Sequence, residues 1–209
     1  MEKMLVTQGL NELKTLESRI QRAINSANLV TLAKTCESKV TPNKTKEEFN
    51  SEAEASYQSV IDLIARREKI KTAIVDSNAT TMVEINGEKM SVAKAIDLKT
   101  SIIYRQEFLD KMKNQLRAAE GSVNLKNAAM EKNLDQLVLA NFSKDSKGAA
   151  KPEEYEAIAA PFRKANEYSL VDPLSLEKKI EEEEKYIEGF LSHVDQVLQV
   201  SNCITSIEI

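Results

Sequence analysis

The sequence predicts an all-α fold, an elongated antiparallel helical bundle carrying one short β-hairpin near residues 81–91. Three observations predict it. The composition suits long amphipathic helices: 30% charged residues, five Gly, four Pro and no Trp in 209 residues. Apolar residues recur at three- and four-residue steps along most of the chain, which places them on one face of a helix. The period drops to two at one interior stretch, where Thr81, Val83 and Ile85 alternate with Met82 and Glu84. Asn86-Gly87 follows, the strongest short signal for a two-residue hairpin, because a type I′ turn needs positive φ at both central residues.

Taken in order, the first helix is expected from about Lys3 to about Cys36, with Leu10, Leu13, Leu16, Ile20, Ala23, Ile24 and Ala27 on one face. Thr41-Pro42-Asn43 breaks it, since proline restricts the residue before it and donates no hydrogen bond. Thr45 with Glu48 three residues on forms a capping box and starts a second helix. Its stripe is Phe49, Ala53, Tyr57, Val60, Ile64, Arg67, Ile70 and Ile74, and it ends near Asp76-Ser77-Asn78. Ser91 caps a third helix whose stripe is Ala95, Leu98, Ile102, Arg105, Leu109, Met112 and Leu116. A kink or a break is expected at Gly121, where glycine costs only about 1 kcal/mol and packing decides.

Val123 to Ala140 is again helix-like, and Ser143 to Pro152 reads as a polar loop. A short helix from about Glu153 to Ala160 is expected to bend or end at Pro161, and Tyr168 to Val171 reads extended. Asp172-Pro173 supplies an N-cap and an N1 proline for the last helix, which carries Leu176, Ile180, Ile187, Phe190, Leu191, Val194, Val197, Leu198 and Val200. Glu181 to Glu184 is the solvated face of that helix. Cys203 to Ile209 alternates and is β-branched, a short extended tail that needs something to pair with. All 209 residues are read as a single helical domain.

The charge balance narrows the function. A net charge of −4 argues against a duplex nucleic-acid binder, which would show a basic face. No apolar run approaches the roughly 18 residues of a membrane span, and the polar start lacks the apolar core of a secretory leader. Cys36 and Cys203, a lone distant pair, read as free, buried thiols in a reducing compartment. The expected location is cytoplasmic, in the host cytoplasm if the chain is phage-encoded.

Catalytic chemistry is not indicated. The one histidine, His193, lies between Leu191 and Val194 on the last helix, with no motif that makes it part of a nucleophile–His dyad or triad. No Cys/His spacing suggests zinc, and no Gly-rich loop suggests a phosphate cradle. The Glu-x-x-His signature of carboxylate-bridged metal bundles is absent. The expectation is a protein that is not an enzyme and uses no cofactor or metal.

The arginines are the informative feature. There are seven, and Arg67 and Arg105 each interrupt an apolar stripe, where an unpaired charge is costly. Measured along antiparallel helices at about 1.5 Å per residue, Arg67 and Arg105 differ in level by about one turn, and Arg19, Arg22 and Arg66 fall near the same height. These side chains, near Tyr104, are read in two ways. In one, they pair with carboxylates such as Glu17, Asp62, Glu68 or Glu107, or line a subunit interface. In the other they form a belt for an anion, because guanidinium forks match phosphate oxygens. Asn78, Thr80 and Thr81 would add neutral donors from the hairpin of a neighbouring subunit.

The order of parts carries a resemblance. The second helix ends in Asn78-Ala79-Thr80-Thr81, and the hairpin closes into Met90-Ser91-Val92-Ala93-Lys94-Ala95-Ile96, with Arg105 further along. Leu170-Val171-Asp172-Pro173-Leu174-Ser175-Leu176 comes later, and the last helix finishes Val200-Ser201-Asn202-Cys203-Ile204-Thr205. In these motifs, which span both ends and the centre, the chain resembles the septicolysin-like family of small helical proteins of bacteria and their phages. Residues 121–162 look like an insertion relative to that family. The resemblance implies a helical core with a central hairpin and homo-oligomers, and it points to Asn78, Thr80 or Thr81, and Arg105 as the matching site positions. Nothing in this acidic chain points to the pore formation that the family name implies.

The function expected from these readings is non-enzymatic: a homo-oligomer that binds a small anionic, phosphate- or nucleotide-like ligand through Arg66, Arg67, Asn78, Thr80, Thr81, Tyr104 and Arg105, as a sequestering protein of a phage or bacterium would. The alternative is a structural or interaction protein, such as a virion or scaffold component, with no small ligand. Neither reading needs a membrane or duplex nucleic acid.

Overall fold

Capping chemistry fixes where two of the long helices start. The Thr45 hydroxyl accepts the Glu48 amide at 3.1 Å while the Glu48 carboxylate accepts the Thr45 amide at 2.8 Å, so the expected capping box opens the second helix. The Ser91 hydroxyl accepts the Lys94 amide at 3.2 Å and opens the third. In this computed structural model, which describes residues 2–142 and 152–209, the helices are α1 (Val6–Ser26), α2 (Lys46–Thr80), α3 (Val92–Phe142), α4 (Pro152–Asn166) and α5 (Leu176–Ile204). Six short strands accompany them: β1 (Lys3–Leu5), β2 (Lys39–Thr41), β3 (Lys44–Thr45), β4 (Met82–Ile85), β5 (Glu88–Ser91) and β6 (Ser206–Glu208). The fold is mostly helical, as the periodicity predicts, and its helices pack antiparallel. The expected loop over Ser143 to Pro152 lies almost wholly outside the described residues.

The chain divides into two compact units. One comprises Met1–Thr100 and Gly189–Ile209, the other Ser101–Glu188. In the first, α1 and α2 run antiparallel. Val6, Leu16, Ile70, Ile74 and Ile207 form its buried cluster, with Met4, Leu13, Ile20 and Leu63 packed against it. Each such side chain contributes about 1.5–3 kcal/mol on burial. Gly9 makes the approach possible: a Cβ there would sit 3.2 Å from the Cδ1 atoms of both Ile74 and Ile207.

Ile207 belongs to the tail that needed a partner, and the partner is β1. Met4 pairs with Ile207 in an antiparallel register, flanked by Lys3 with Glu208 and Leu5 with Ser206. The first helix is therefore shorter than expected at both ends. Residues 3–5 leave the helix to become a strand, because there they cover an edge that would otherwise be unpaired. At the other end α1 stops at Ser26, where the apolar stripe runs out and Asn28, Val30 and Thr31 weaken the helix. A small β2–β3 pair turns through Pro42-Asn43, the expected break.

The central hairpin is as expected. β4 pairs with β5 from Met82 with Ser91 to Ile85 with Glu88, and the turn residues Asn86 and Gly87 have φ of 52° and 80°. Its tip rests on α5, where a Cβ on Gly189 would lie 2.7 Å from the Asn86 amide nitrogen. The α2 stripe divides: Phe49, Ile70 and Ile74 are buried, whereas Tyr57 is exposed.

In the second unit α3 packs antiparallel against α4 and α5. Leu134, Val138 and Ala159 form a buried cluster with Tyr155, Ile158 and Phe162 around it. The helix runs on through Gly121, so no break occurs there. Pro161 does not end α4. Proline removes one amide, but the buried Ala159 and a paired Arg163 hold the helix to Asn166. Asp172-Pro173 is a turn, not the helix start. The Asp172 carboxylate accepts the Leu174 amide at 3.2 Å and the Leu176 amide at 2.6 Å, and α5 begins at Leu176.

The turn assignment has a direct test. A β-branched residue resists the positive φ of Gly87, so Gly87→Val should cost about 1–3 kcal/mol. Urea unfolding of the variant reads this, and an unchanged midpoint would remove the assignment.

Candidate functional site

The arginines singled out in the sequence lie in both units. In the first unit, Arg66 and Arg67 sit midway along α2, and Asn78, Thr80 and Thr81 sit at its C-terminal end. Eleven to fifteen residues along the helix and its cap separate them, roughly 16–23 Å, so within the unit these residues are not brought together. Tyr104 and Arg105 belong to the second unit, on α3.

Each of the three arginines faces a carboxylate. Arg66 Nε donates to Glu12 Oε1 at 2.8 Å, and its NH2 donates to Glu2 Oε1 at 3.0 Å and to Glu12 Oε2 at 3.3 Å. Its NH1 donates to Glu2 Oε2 at 2.5 Å, so the fork is engaged on both edges. Hydrogen bonds donated to Glu2 and Glu12 push the Arg66 pKa well above its ordinary value, and the bond from Arg66 holds the Glu2 carboxyl below the usual carboxylate range. Arg67 reaches Glu17 of α1 with a long contact of 3.9 Å. Arg105 NH1 donates to Glu183 of α5 at 2.8 Å, and its guanidinium lies 4.1 Å from the centroid of the Tyr186 ring, a cation–π geometry.

The sequence located the charges in the stripes but not what neutralises them. Of the carboxylates read as partners, Asp62, Glu68 and Glu107 share a helix with an arginine, whereas the pairs that form cross between elements. Glu12 and Glu17 come from α1 and Glu183 from α5, which no single-helix pattern shows. Of the four carboxylates named from the sequence, Glu17 meets an arginine, while Asp62 accepts from Gln58 within α2.

Of the remaining candidates, Thr80, Thr81 and Arg22 are engaged locally, Tyr104 is open to solvent, and Asn78 is half-buried near the end of α2. The Thr80 hydroxyl donates to the Asp76 carbonyl at 3.0 Å, and Thr81 Oγ1 lies 3.5 Å from Ser77 Oγ, both ordinary helix-end bonds. Tyr104 is 71% exposed. Arg22 Nε donates to the Ser18 carbonyl at 3.2 Å within α1.

Three features escaped the sequence reading. In the second unit, Arg163 clamps Glu131 with bonds of 2.8 and 3.0 Å, and the Asn127 amide holds both backbone groups of Tyr168 at 2.8 Å. No local signal could have found either, since the partners lie more than thirty residues apart. In the first unit, an apolar groove of about 450 Å³ runs between β4 and the end of α5, lined by Met82, Val83, Val197, Val200 and Ile204, with His193 at its edge. His193 Nδ1 lies 2.9 Å from the Gly189 carbonyl and 2.9 Å from Ser192 Oγ. Such a groove suits an apolar partner better than an anion.

Cys36 and Cys203 are free, as read, but both are exposed and not buried. Cys36 lies in the stretch that leaves the helix, and Cys203 in the last turn of α5. Among the described residues, no group of three or more His, Cys, Asp or Glu is placed to hold a metal ion, and no helix is long and apolar enough to cross a membrane. No family model, curated protein or solved structure matches the chain. The resemblance drawn above rests on its short motifs alone.

The Arg66 cluster has a pH signature. A carboxyl held below its ordinary value contributes stability that is present above the unfolded-state pKa and is lost as pH falls through the folded one. Thermal stability should therefore drop as pH is lowered from about 6 to about 3, and Glu2→Gln should flatten part of that slope. Melting curves over this range check it; an identical slope in the variant would show that Glu2 does not contribute.

Proposed function

We propose that the protein acts by binding protein, as a non-enzymatic, self-associating helical scaffold. The observation that carries this reading is that Arg66 and Arg105 are each bonded to a carboxylate of another element, so two of the charges that suggested an anion site are already neutralised within the chain. Displacing Glu2 and Glu12 from Arg66 would leave two carboxylates unpaired for each anion bound. Exposed apolar side chains on long helices also support partner binding, since larger apolar patches mark interaction sites. Two free thiols suit a reducing, cytoplasmic setting.

The ligand reading keeps one support. The Arg67 guanidinium and Glu17 make a long contact between exposed side chains, which leaves donors open to a phosphate or nucleotide.

Two measurements separate the readings. Light scattering at micromolar concentration should give a mass of more than one chain, and a single-chain mass would sink self-association. Titration calorimetry with mono- and cyclic nucleotides should give no saturable heat with wild type. A heat that Arg67→Ala with Arg105→Ala abolishes would restore the anion-binding function.

A further inference from the structure

We infer that a second copy of this chain docks antiparallel on the outward face of α2, along a seam centred on Ile61 and Ile64. The inference rests on the self-association proposed above and names its surface. The face is a heptad seam. Glu54, Tyr57, Ile61, Ile64, Glu68, Lys71 and Val75 follow one another at alternating steps of three and four, the spacing that keeps one line of a helix toward a partner helix. This line lies roughly a third of a turn from Leu63, Ile70 and Ile74, which pack toward α1. Most of it remains in solvent: Tyr57 is 57% exposed, Ile61 41% and Val75 52%, while Ile64 is half-buried. Its unbroken apolar part, Tyr57 to Ile64, runs roughly 10 Å along the helix, and Val75 lies beyond Glu68 and Lys71.

Charge decides the occupant and its direction. A parallel copy would stack Glu54 on Glu54, Glu68 on Glu68 and Lys71 on Lys71. An antiparallel copy about a two-fold axis between residues 62 and 63 sets Ile61 against the partner's Ile64 and Glu54 against the partner's Lys71. By symmetry each pairing occurs twice. Among the described residues neither Glu54 nor Lys71 makes an ion pair within the chain, so both are available. Tyr57 falls opposite the partner's Glu68, at the edge of the apolar centre. The seam is thus complementary to itself in one orientation only, which an isologous interface requires.

The experiment uses the full chain and two exposed single variants, Glu54→Lys and Lys71→Glu, with circular dichroism to check that each keeps its helix. Wild type should be dimeric by light scattering. Each variant alone places like charges together at both ends of the seam and should raise the dissociation constant about tenfold or more. Mixed in equal amounts, the two should recover the wild-type dimer. The introduced lysine of one chain then meets the introduced glutamate of the other, and the unaltered Lys71 meets the unaltered Glu54. A monomeric wild type overturns both this inference and the self-association reading. A wild-type oligomer indifferent to either variant, or variants that stay dissociated on mixing, overturns the antiparallel seam and leaves self-association standing.

Discussion

The first unit depends on a single insertion: Ile207, on a strand at one end of the chain, enters the space between α1 and α2 that Gly9 keeps open. Everything around it is arranged to permit that entry. β1 must leave the helical register to pair with β6, Val6 must start α1 where the strand stops, and Glu2 is then carried to Arg66. Closing a loop of about two hundred residues costs only slightly more than closing one of a hundred, about 0.6 kcal/mol per doubling. A few buried aliphatic side chains at about 1.5–3 kcal/mol each outweigh that difference. The surface ion pairs contribute little by comparison and act mainly to define which carboxylate meets which arginine.

The paired arginines change what the helical stripes mean. A charge in an apolar stripe signals either a ligand or a crossing helix that brings the opposite charge. Arg66 and Arg105 are the second case, with well-formed bonds to Glu12 and Glu183. The stripes also do not all face inward. In α2, Phe49, Ile70 and Ile74 are buried while Tyr57, on the same pattern, is exposed, so amphipathic periodicity alone does not say which side chains reach the core.

What could be read from sequence was what neighbours in sequence decide. The Asn86-Gly87 turn and the Thr45–Glu48 box involve groups within a few residues, and both stand as read. Pro161 and Asp172-Pro173 misled because local preference competes with packing there. Ala159 holds one helix through its proline, and the Asp172 carboxylate caps a helix that begins beyond the turn. The β1–β6 pairing, the Arg163 clamp and the carboxylates on Arg66 could not be read, since each joins residues from distant parts of the chain. The tail announced its need for a partner without naming it.

The division of the chain into units has a consequence for synthesis on the ribosome. The first unit is discontinuous, and the second is encoded wholly between its two parts. Lys3–Leu5 emerges early, yet its strand partner Ser206–Glu208 follows some two hundred residues later. During translation the α1–α2 pair must wait with the groove beside Gly9 unfilled and Met4 and Val6 uncovered. The second unit meanwhile has its complete sequence and is free to form. The first unit, still lacking its second strand, is the species on which a chaperone would act.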